Sequence, residues 1–150
     1  MLDEYGKKLN NLMIEIYDSV HEVEQKMLTN TKLELSISEM DVLDIIGRSG
    51  EEGCTISDIA RSLRVTLPTV TVSIKKLEKK GFVTKVRSAE DARCVSIVLT
   101  RRGKKADAVH RYFHEQAVRA CIKDIPESSR QDLLKAMKNL NEFLRQNGNK

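Results

Sequence analysis

The chain has 150 residues, of which 40% are hydrophobic and 32% charged, and it carries a formal net charge of +4. Its length suits one domain with a core, alone or with an oligomerisation arm, and no apolar stretch reaches the roughly 20 residues of a membrane-spanning helix. The start is acidic and polar where a signal peptide would be basic and then apolar, so we expect a soluble, helix-rich protein of the cytoplasm that does not bind membranes.

Helical spacing of apolar residues predicts the first two helices. In the first helix they recur at steps of three and four residues, as Leu9, Leu12, Met13, Ile16, Val20, Val23 and Met27. The polar residues 29–31 end this helix. The second helix begins at Ser36, because "SISE" offers a capping box with Glu39. Its buried stripe is expected to be Met40, Leu43 and Ile46.

Glycines separate the second helix from a short third helix. We expect Gly47, Gly50 and Gly53 to mark the loop after the second helix. A short β-branched run follows, and helical spacing then predicts a third helix over 56–64, with the apolar residues Ile56, Ile59, Ala60 and Leu63. The tight connection "RVT" leads into the next segment.

The stretch "LPTVTVSIKKLEKKG" at 67–81 alternates like a strand in its first half and resembles a helix in its second. A strand would contain Pro68 and end in a segment where nothing alternates, so a helix accounts for more residues. Thr66 is the predicted N-cap, with its hydroxyl reaching the Thr69 N–H because Pro68 has no N–H. Gly81 closes the helix.

The two faces of this predicted helix differ. At 100° per residue, Val70, Ile74 and Leu77 share the buried face. The opposite face is expected to expose Pro68, Thr69, Val72, Lys75, Lys76 and Lys79. Such exposure suits DNA reading, because hydroxyls reach phosphates or base edges and a methyl-bearing side chain meets thymine methyls. An ordinary surface helix is the alternative, although Thr and Val lower helix stability there.

Two β-rich runs and two long helices complete the chain. "FVTKVRS" and "VSIVLT" flank the polar "AEDARC" and predict a hairpin with a charged tip. Thr100 caps a helix from Arg101 to about Ile122, with apolar residues at Ala106, Val109, Phe113, Ala117 and Ala120. Pro126 opens the last helix. Its apolar residues have the spacing of helices that pack against another helix, and they are Leu133, Met137, Leu140 and Leu144.

Basic residues are concentrated in the middle of the chain. Between Arg61 and Lys105, thirteen Lys and Arg face three acidic residues, which gives +10 there and −6 over the remainder. A basic centre between acidic flanks indicates that one part of the fold binds a polyanion. A solvated lysine-rich surface is the alternative.

The three cysteines, Cys54, Cys94 and Cys121, are odd in number and far apart, without a C-x-x-C pair. This pattern favours reduced thiols over a disulfide framework or a structural zinc site. We predict that they are small core residues. Cys94, beside Arg93, is the one whose neighbours suit a thiol switch.

The third helix, the "RVT" connection and the helix at 67–81 predict a helix-turn-helix, and the hairpin after it predicts a wing. With "LEKKGFVTKVRSAEDARCVSIVLTRRGK", in which Asp91-x-Arg93 is followed by Leu99-Thr100, the chain resembles the MarR family of winged-helix transcription regulators. The likeness covers almost the whole chain, because the long helices before and after match the dimerisation arms of that family. Ala92 departs from the pattern, since many members carry a second basic residue there.

The resemblance implies a mainly α fold with a small β-hairpin wing. It implies a single MarR-like domain over 1–150, with a winged helix-turn-helix core at 36–100 and dimerisation helices at 1–35 and 101–150. It also implies a homodimeric transcription regulator, a repressor, that binds pseudo-palindromic double-stranded operator DNA. The expected DNA contacts are Thr66, Pro68, Thr69, Thr71, Val72, Lys75, Lys76, Lys79, Lys85, Arg87, Asp91 and Arg93.

Within that set, the resemblance implies that Arg93 at the wing tip enters the minor groove while Asp91 holds its guanidinium. A narrow A·T-rich groove concentrates negative potential and favours Arg, whose hydration shell is weaker than that of Lys. Lys85, Arg87 and the helix lysines would contact phosphates and set affinity more than sequence choice. The alternative is that Asp91 and Arg93 only stabilise a turn.

Two further kinds of effector stand beside the thiol switch. His110 and His114 lie four residues apart on one helical face with Asp107, which permits a regulatory metal site. Additional ligands would have to come from the first helix, as Glu22, Glu24 or His21. Histidines that serve as interface or pocket polar groups are the alternative, and we expect no resident metal or cofactor.

The other effector is lipid-like. "HRYFHEQAVRA" after "LTRRGKKADA" is similar to the fatty-acid-synthesis repressors of this family in Gram-positive bacteria, the FabT type. That likeness implies an acyl chain on acyl carrier protein as corepressor. An acyl chain needs an apolar tunnel, and Lys and Arg near its mouth would receive the acidic carrier. The expected ligand-binding residues are Leu12, Ile16, Met40, Val109, His110, Phe113 and His114.

Other classes of protein fit less well. An enzyme needs a nucleophile with a base, or a metal with an open position, and beyond the histidine pair the sequence offers no such constellation. We therefore expect no enzyme. A winged-helix module that binds only protein is a further alternative, against which the basic centre argues.

Overall fold

A computed structural model describes residues 1–87 and 94–148 of the chain. Its elements are α1 (Glu4–Asn30), α2 (Ile37–Arg48), a 3₁₀ turn (Gly50–Glu52), α3 (Ile56–Leu63), α4 (Leu67–Lys79), β1 (Val83–Arg87), β2 (Val95–Leu99), α5 (Arg101–Ile122) and α6 (Glu127–Asn147). The predicted fold class, mainly α with a small β-hairpin wing, is confirmed. The chain divides into two compact units, Met1–His110 and Arg111–Lys150. Among the described residues, no helix has the length and hydrophobicity that crossing a bilayer requires.

Side-chain caps fix where the helices of the first unit begin. The capping box predicted for α2 is confirmed, because the Ser36 N–H donates to Glu39 Oε2 at 2.9 Å and the Glu39 N–H donates to Ser36 Oγ at 3.2 Å. Thr55 and Asp58 form the same motif at the start of α3. Each box satisfies two N–H groups that a helix start leaves without partners.

The first helix begins earlier than its apolar pattern indicates. The prediction started it at Leu9, but α1 runs from Glu4, because the Asp3 carboxylate accepts the Gly6 N–H at 2.7 Å and caps the helix there. Tyr5 in the first turn lies four residues before Leu9, so the apolar repeat extends one turn further than the prediction took it.

The core of the first unit lies between α2, α3, α4 and the hairpin. The stripe predicted for α2 is buried, as are Ile59, Phe82 and Ile97, each of which is fully enclosed. On α4, Val70, Ile74 and Leu77 are 1%, 1% and 0% exposed, which confirms the predicted inner face. Burial of three such side chains contributes roughly 1.5–3 kcal/mol each relative to exposure.

The prediction that Gly47 lies in the loop after α2 is wrong. Gly47 is helical, because α2 continues to Arg48. A Cβ at this position would lie 2.5 Å from Asp107 Oδ2, so glycine allows the Asp107 carboxyl group of α5 to approach α2 closely. The third helix also ends one residue earlier than predicted, since Arg64 adopts a left-handed backbone with φ 56°.

The hairpin pairs antiparallel, with Val83 opposite Leu99 and Arg87 opposite Val95, as predicted. Cys54 forms a bridge to Ile97 from the other side and is buried. The prediction that all three cysteines are core residues is therefore right for Cys54. It is wrong for Cys94 and Cys121, which are exposed, because Cys94 lies just before β2 and Cys121 is on the outer part of α5, beyond its buried residues.

The second unit contains the end of α5 and all of α6. No described residue of α6 is buried within the single chain. Its exposed large apolar side chains are Leu134, Met137, Phe143 and Leu144. The helix therefore presents hydrophobic surface that the chain itself does not cover.

Candidate nucleic-acid interface

The N-terminal half of α4 projects apolar and hydroxyl side chains outward. Thr66 caps the helix by accepting the Thr69 N–H at 3.4 Å, as predicted, and Pro68 occupies the first turn. Because the opposite face is in the core, Val72 is 53% exposed and Leu67, at the first helical position, is 51% exposed. Leu67 was not among the predicted DNA contacts.

The hydroxyl groups of this half-helix differ in availability. Thr66 Oγ1 and Thr69 Oγ1 lie 2.8 Å apart at the exposed start of α4. Thr71 is half-buried, and its hydroxyl donates to the Leu67 carbonyl at 2.9 Å within the helix. One of these two hydroxyls donates to the other, so the exposed pair keeps one hydrogen for a ligand, whereas the hydrogen of Thr71 is engaged within the helix.

Cations surround the same face. Lys75, Lys76 and Lys79 on α4 and Arg87 at the end of β1 are all exposed. Lys85 on β1 forms an ion pair with Glu78, with Nζ 3.1 Å from Oε2 and both side chains 40% exposed. A phosphate would have to compete with Glu78 for Lys85. Asp91 and Arg93, the predicted wing-tip pair, lie outside the described residues.

A cavity of about 630 Å³ adjoins α4 and contains residues that sequence reasoning missed. It lies between the N-terminus of α2 and the exposed edge of α4. Hydroxyl and ammonium groups line part of it, from Ser36, Ser38, Thr69, Ser73, Lys76 and Lys80. The sequence interpretation gave "SISE" only a capping role, although two serine hydroxyls at a helix N-terminus were the available signal for the polar part of this otherwise apolar recess.

The residues predicted for an acyl ligand occupy different environments. Met40 is buried in the core, whereas Leu12 and Ile16 on α1 and Val109 on α5 are exposed. His110 is buried, and its Nε2 lies 3.9 Å from Glu24 Oε1. In the second unit, Phe113 and His114 meet edge to face with ring centroids 5.4 Å apart. The predicted ligand site remains a prediction.

The Cys54 thiol is buried, and its surroundings disfavour the reactive thiolate. Burial raises the pKa of the Cys54 thiol, and the nearby Asp58 carboxylate acts in the same direction, against a smaller opposing effect of Ser49. Since the thiolate is the reactive form, Cys54 is unsuited to redox sensing.

Comparison with known proteins agrees with this geometry. A model of the MarR family matches residues 35–95. The structure matches the crystal structure of Streptococcus pneumoniae FabT in complex with DNA, with a TM-score of 0.81 and 33% sequence identity. The match covers 93% of this chain and 97% of that chain. The chain belongs to the MarR family. The resemblance carried by the helix-turn-helix and the Asp-x-Arg…Leu-Thr pattern is thereby confirmed.

Curated relatives extend the likeness to named regulators. The HTH-type transcriptional regulator SarZ of Staphylococcus haemolyticus is 27% identical, over 87% of each chain. The uncharacterized HTH-type transcriptional regulator YfiV of Bacillus subtilis is 38% identical over 49% of this chain, and the match spans 45% of YfiV. The uncharacterized HTH-type transcriptional regulator YhjH of Bacillus subtilis is 30% identical over 58% of this chain, and the chain spans about half the length of YfiV and of YhjH. The MarR relatives are named as transcription regulators, not as enzymes.

Proposed function

We propose that this MarR-family protein is a sequence-specific DNA-binding transcription regulator that represses its target genes. The observation that carries the proposal is α4, which turns Val70, Ile74 and Leu77 into the core and thereby exposes Thr69 and Val72. Polar and methyl groups at such a helix start can read base edges in the major groove. Exposed lysines beside them supply the sequence-independent attraction to phosphates.

We further propose that the active form is a two-fold homodimer. Apolar side chains are exposed along α1 and α6 in the single chain, including Leu12, Ile16, Met137 and Leu144. Exposed apolar surface of this extent marks a contact with another protein surface. Two copies of α4 would enter successive major grooves about 34 Å apart, so the operator would be a pseudo-palindrome with half-sites about one helical turn apart.

Selection from a random DNA library tests both parts. The wild-type protein should enrich a duplex with inverted half-sites, and inserting about five base pairs between them should abolish tight binding because the half-sites then face opposite sides of the helix. Sedimentation should show a dimer at micromolar concentration. Enrichment of no sequence would contradict the assignment of a specific regulator.

A second, finer proposal concerns the effector. The 33% identity to FabT over nearly the whole of both chains favours the FabT type, and the resemblance implies control of fatty-acid synthesis with acyl-acyl carrier protein as corepressor. The corepressor must bind the DNA-competent arrangement better than the free one. A tenfold gain in DNA affinity requires about 1.4 kcal/mol of coupling.

Titration of the selected duplex separates the candidate effectors. Acyl carrier protein bearing a long acyl chain should tighten binding in proportion to chain length, and the unacylated carrier should not. Zinc with and without chelator tests the metal alternative. An effect of zinc alone that is lost in His110→Ala would replace the lipid proposal with a metal-responsive regulator. Sensitivity to peroxide that Cys94→Ser removes would replace it with a thiol switch.

A further inference from the structure

Lys80 differs from Lys75, Lys76 and Lys79 because its ammonium group makes three hydrogen bonds within the protein. It follows the last residue of the helix, and its Nζ donates to Glu39 Oε2 at 2.8 Å, to Glu39 Oε1 at 2.9 Å and to the Glu34 carbonyl at 2.7 Å. An ammonium group has three hydrogens to donate. Lys80 therefore has none left for a phosphate, whereas Lys75, Lys76 and Lys79 are exposed.

The acceptors of Lys80 belong to the segment that enters α2. Glu39 is buried, and its carboxylate also accepts the Ser36 N–H in the capping box. Glu34 has a left-handed backbone with φ 54°. A non-glycine residue keeps that sparsely populated conformation only where its surroundings determine it, and here the Glu34 carbonyl is held by Lys80. The C-terminal end of α4 is thus tied to the connection between α1 and α2.

A second tie joins the same end of α4 to the start of α5. Arg102 Nη1 donates to the Lys80 carbonyl at 2.6 Å, and its guanidinium lies 4.4 Å from the centre of the buried Phe82 ring. The Thr100 hydroxyl donates to the Gly81 carbonyl at 2.6 Å. The first contact satisfies a carbonyl that the end of α4 leaves without an intrahelical partner, and the second satisfies the carbonyl of the residue that follows the cap.

The two ties hold the C-terminal end of α4, whereas its N-terminal half is held by Val70, which is buried in the core, and by the short connection from α3, where the Val65 N–H donates to the Ala60 carbonyl at 3.1 Å. The angle at which α4 presents its outward residues depends on how both ends are held, and the two ties fix the C-terminal end. The Lys80 ammonium is held by three acceptors from two residues, and the carboxylate of its ion pair is buried, so solvent screens this pair less than an exposed one.

We infer that Lys80 and Arg102 are positioning residues for DNA recognition, which set the orientation of α4 against α2 and α5 without contacting DNA. The inference rests on the proposed DNA-binding function. It assigns these two cations a role different from that of the neighbouring lysines, although all of them lie in the same basic stretch of sequence.

The test uses two full-length variants that spare the fold. Glu39→Gln with Lys80→Met removes the ion pair without leaving a buried charge, and glutamine preserves the capping box. Arg102→Met removes the second tie. Lys104→Met is the matched control for Arg102→Met, because it removes the same charge, and Glu51→Gln with Lys104→Met is the matched control for the double variant, because Lys104 is ion-paired with Glu51 at 2.7 Å. Each protein is titrated with the duplex selected by wild type and with a scrambled duplex, at several salt concentrations.

We expect both positioning variants to bind the selected duplex about tenfold more weakly, with affinity for the scrambled duplex and the salt slope unchanged. Both control proteins should keep the wild-type ratio of the two affinities. Equal losses on both duplexes with a reduced salt slope would show direct phosphate contact and overturn the inference. So would a lower melting temperature with unaltered DNA affinities, which would make the ties purely structural. Failure of the wild type to select any duplex would instead contradict the proposed function on which the inference rests.

Discussion

On the DNA-binding surface proposed for α4, two outward residues one turn apart are expected to have separable roles. Val72 offers only methyl groups, and Lys76, one turn later, offers only a charge. A methyl contact distinguishes thymine from other bases, whereas an ammonium contact with a phosphate is the same at every sequence. In the proposed interface, Val72 would therefore contribute to specificity and Lys76 to affinity.

Replacing each of these two residues by alanine should separate the effects. Val72→Ala is expected to weaken binding to the selected duplex by about 1 kcal/mol and to leave binding to scrambled DNA unchanged. Lys76→Ala should weaken both and lower the salt slope by about one. Fluorescence anisotropy at several salt concentrations measures the affinity of each variant for each duplex and the salt slope of that affinity. Identical profiles for the two variants would contradict the assigned division.

The Glu39 carboxylate makes folding stability depend on pH. Burial pushes the pKa of Glu39 up, but the hydrogen bonds and charge of Lys80 and the Ser36 N–H outweigh burial and hold the pKa below its ordinary value. A carboxylate with a depressed folded-state pKa contributes stability above its unfolded pKa, about 4.3. That contribution is lost as pH falls through the folded-state pKa.

Glu39→Gln should therefore lower the free energy of unfolding by about 1.5–3 kcal/mol at pH 7, and the difference from wild type should shrink as the pH falls below about 4. Urea denaturation at pH 7, 5 and 3.5 gives these values. Glu51→Gln is the matched control, because its ion pair with Lys104 is exposed and should contribute at most about 1 kcal/mol. A Glu39→Gln deficit that stays constant down to pH 3.5 would exclude this linkage.

One close contact between elements depends on Gly103, whose role the periodicity of apolar residues does not reveal. Gly103 lies in the first turn of α5, where a Cβ would sit 2.1 Å from the Phe82 carbonyl oxygen. The glycine lets α5 start directly against the segment that joins α4 to β1. The same segment carries the contacts of Arg102 and Thr100, so the start of α5 is fixed at several atoms.

Gly103→Ala is expected to destabilise the protein by roughly 1–3 kcal/mol because the added methyl group overpacks the contact. Helix propensity alone would stabilise the variant by about 1 kcal/mol. The sign of the change in the free energy of unfolding therefore shows whether overpacking or helix propensity dominates. Thermal denaturation followed by circular dichroism measures it. Gly148→Ala at the end of α6, where the new Cβ would approach the Leu144 carbonyl at 3.2 Å, should change stability by less than about 0.5 kcal/mol. A more stable Gly103→Ala would refute the packing argument.

Features of the fold that depend on residues close in sequence could be predicted, whereas features that depend on residues far along the chain could not. Ser36 and Thr66 begin their helices as predicted, because the cap hydroxyl and the N–H that donates to it are three residues apart. Gly47 was misplaced because its role depends on Asp107, far along the chain. On the candidate site, the outward residues of α4 followed from helical geometry. The Lys80–Glu39 pair did not, since nothing local marks two residues 41 positions apart as partners.

At the scale of the whole molecule, the long helices carry apolar surface that the single chain leaves exposed. Tyr5, Leu9 and Ile14 are exposed on α1, as Met137 and Phe143 are on α6. Because these side chains support no core within the chain, their replacement should affect association and leave the folding of the protomer intact.

Met137→Glu should therefore convert the proposed dimer to a monomer that retains its melting profile in circular dichroism. A charge buried in an apolar contact lacks a partner, and its desolvation costs several kcal/mol. Operator affinity should fall at least about a hundredfold, since one half-site supplies only part of the contacts. Analytical ultracentrifugation checks the mass, with Asn139→Glu on the same helix as the control that stays dimeric. A dimeric Met137→Glu would place the contact elsewhere.

The separation of faces on α4 has an evolutionary consequence. Because Pro68, Thr69 and Val72 make no contribution to the buried face formed by Val70, Ile74 and Leu77, substitutions at the outer positions leave the packing intact. Under the proposed function, a duplicated copy of this gene could acquire a new target sequence in a few steps without passing through an unstable intermediate. Exchanging the three outer residues for those of another regulator would then give an orthogonal genetic switch on an unchanged scaffold.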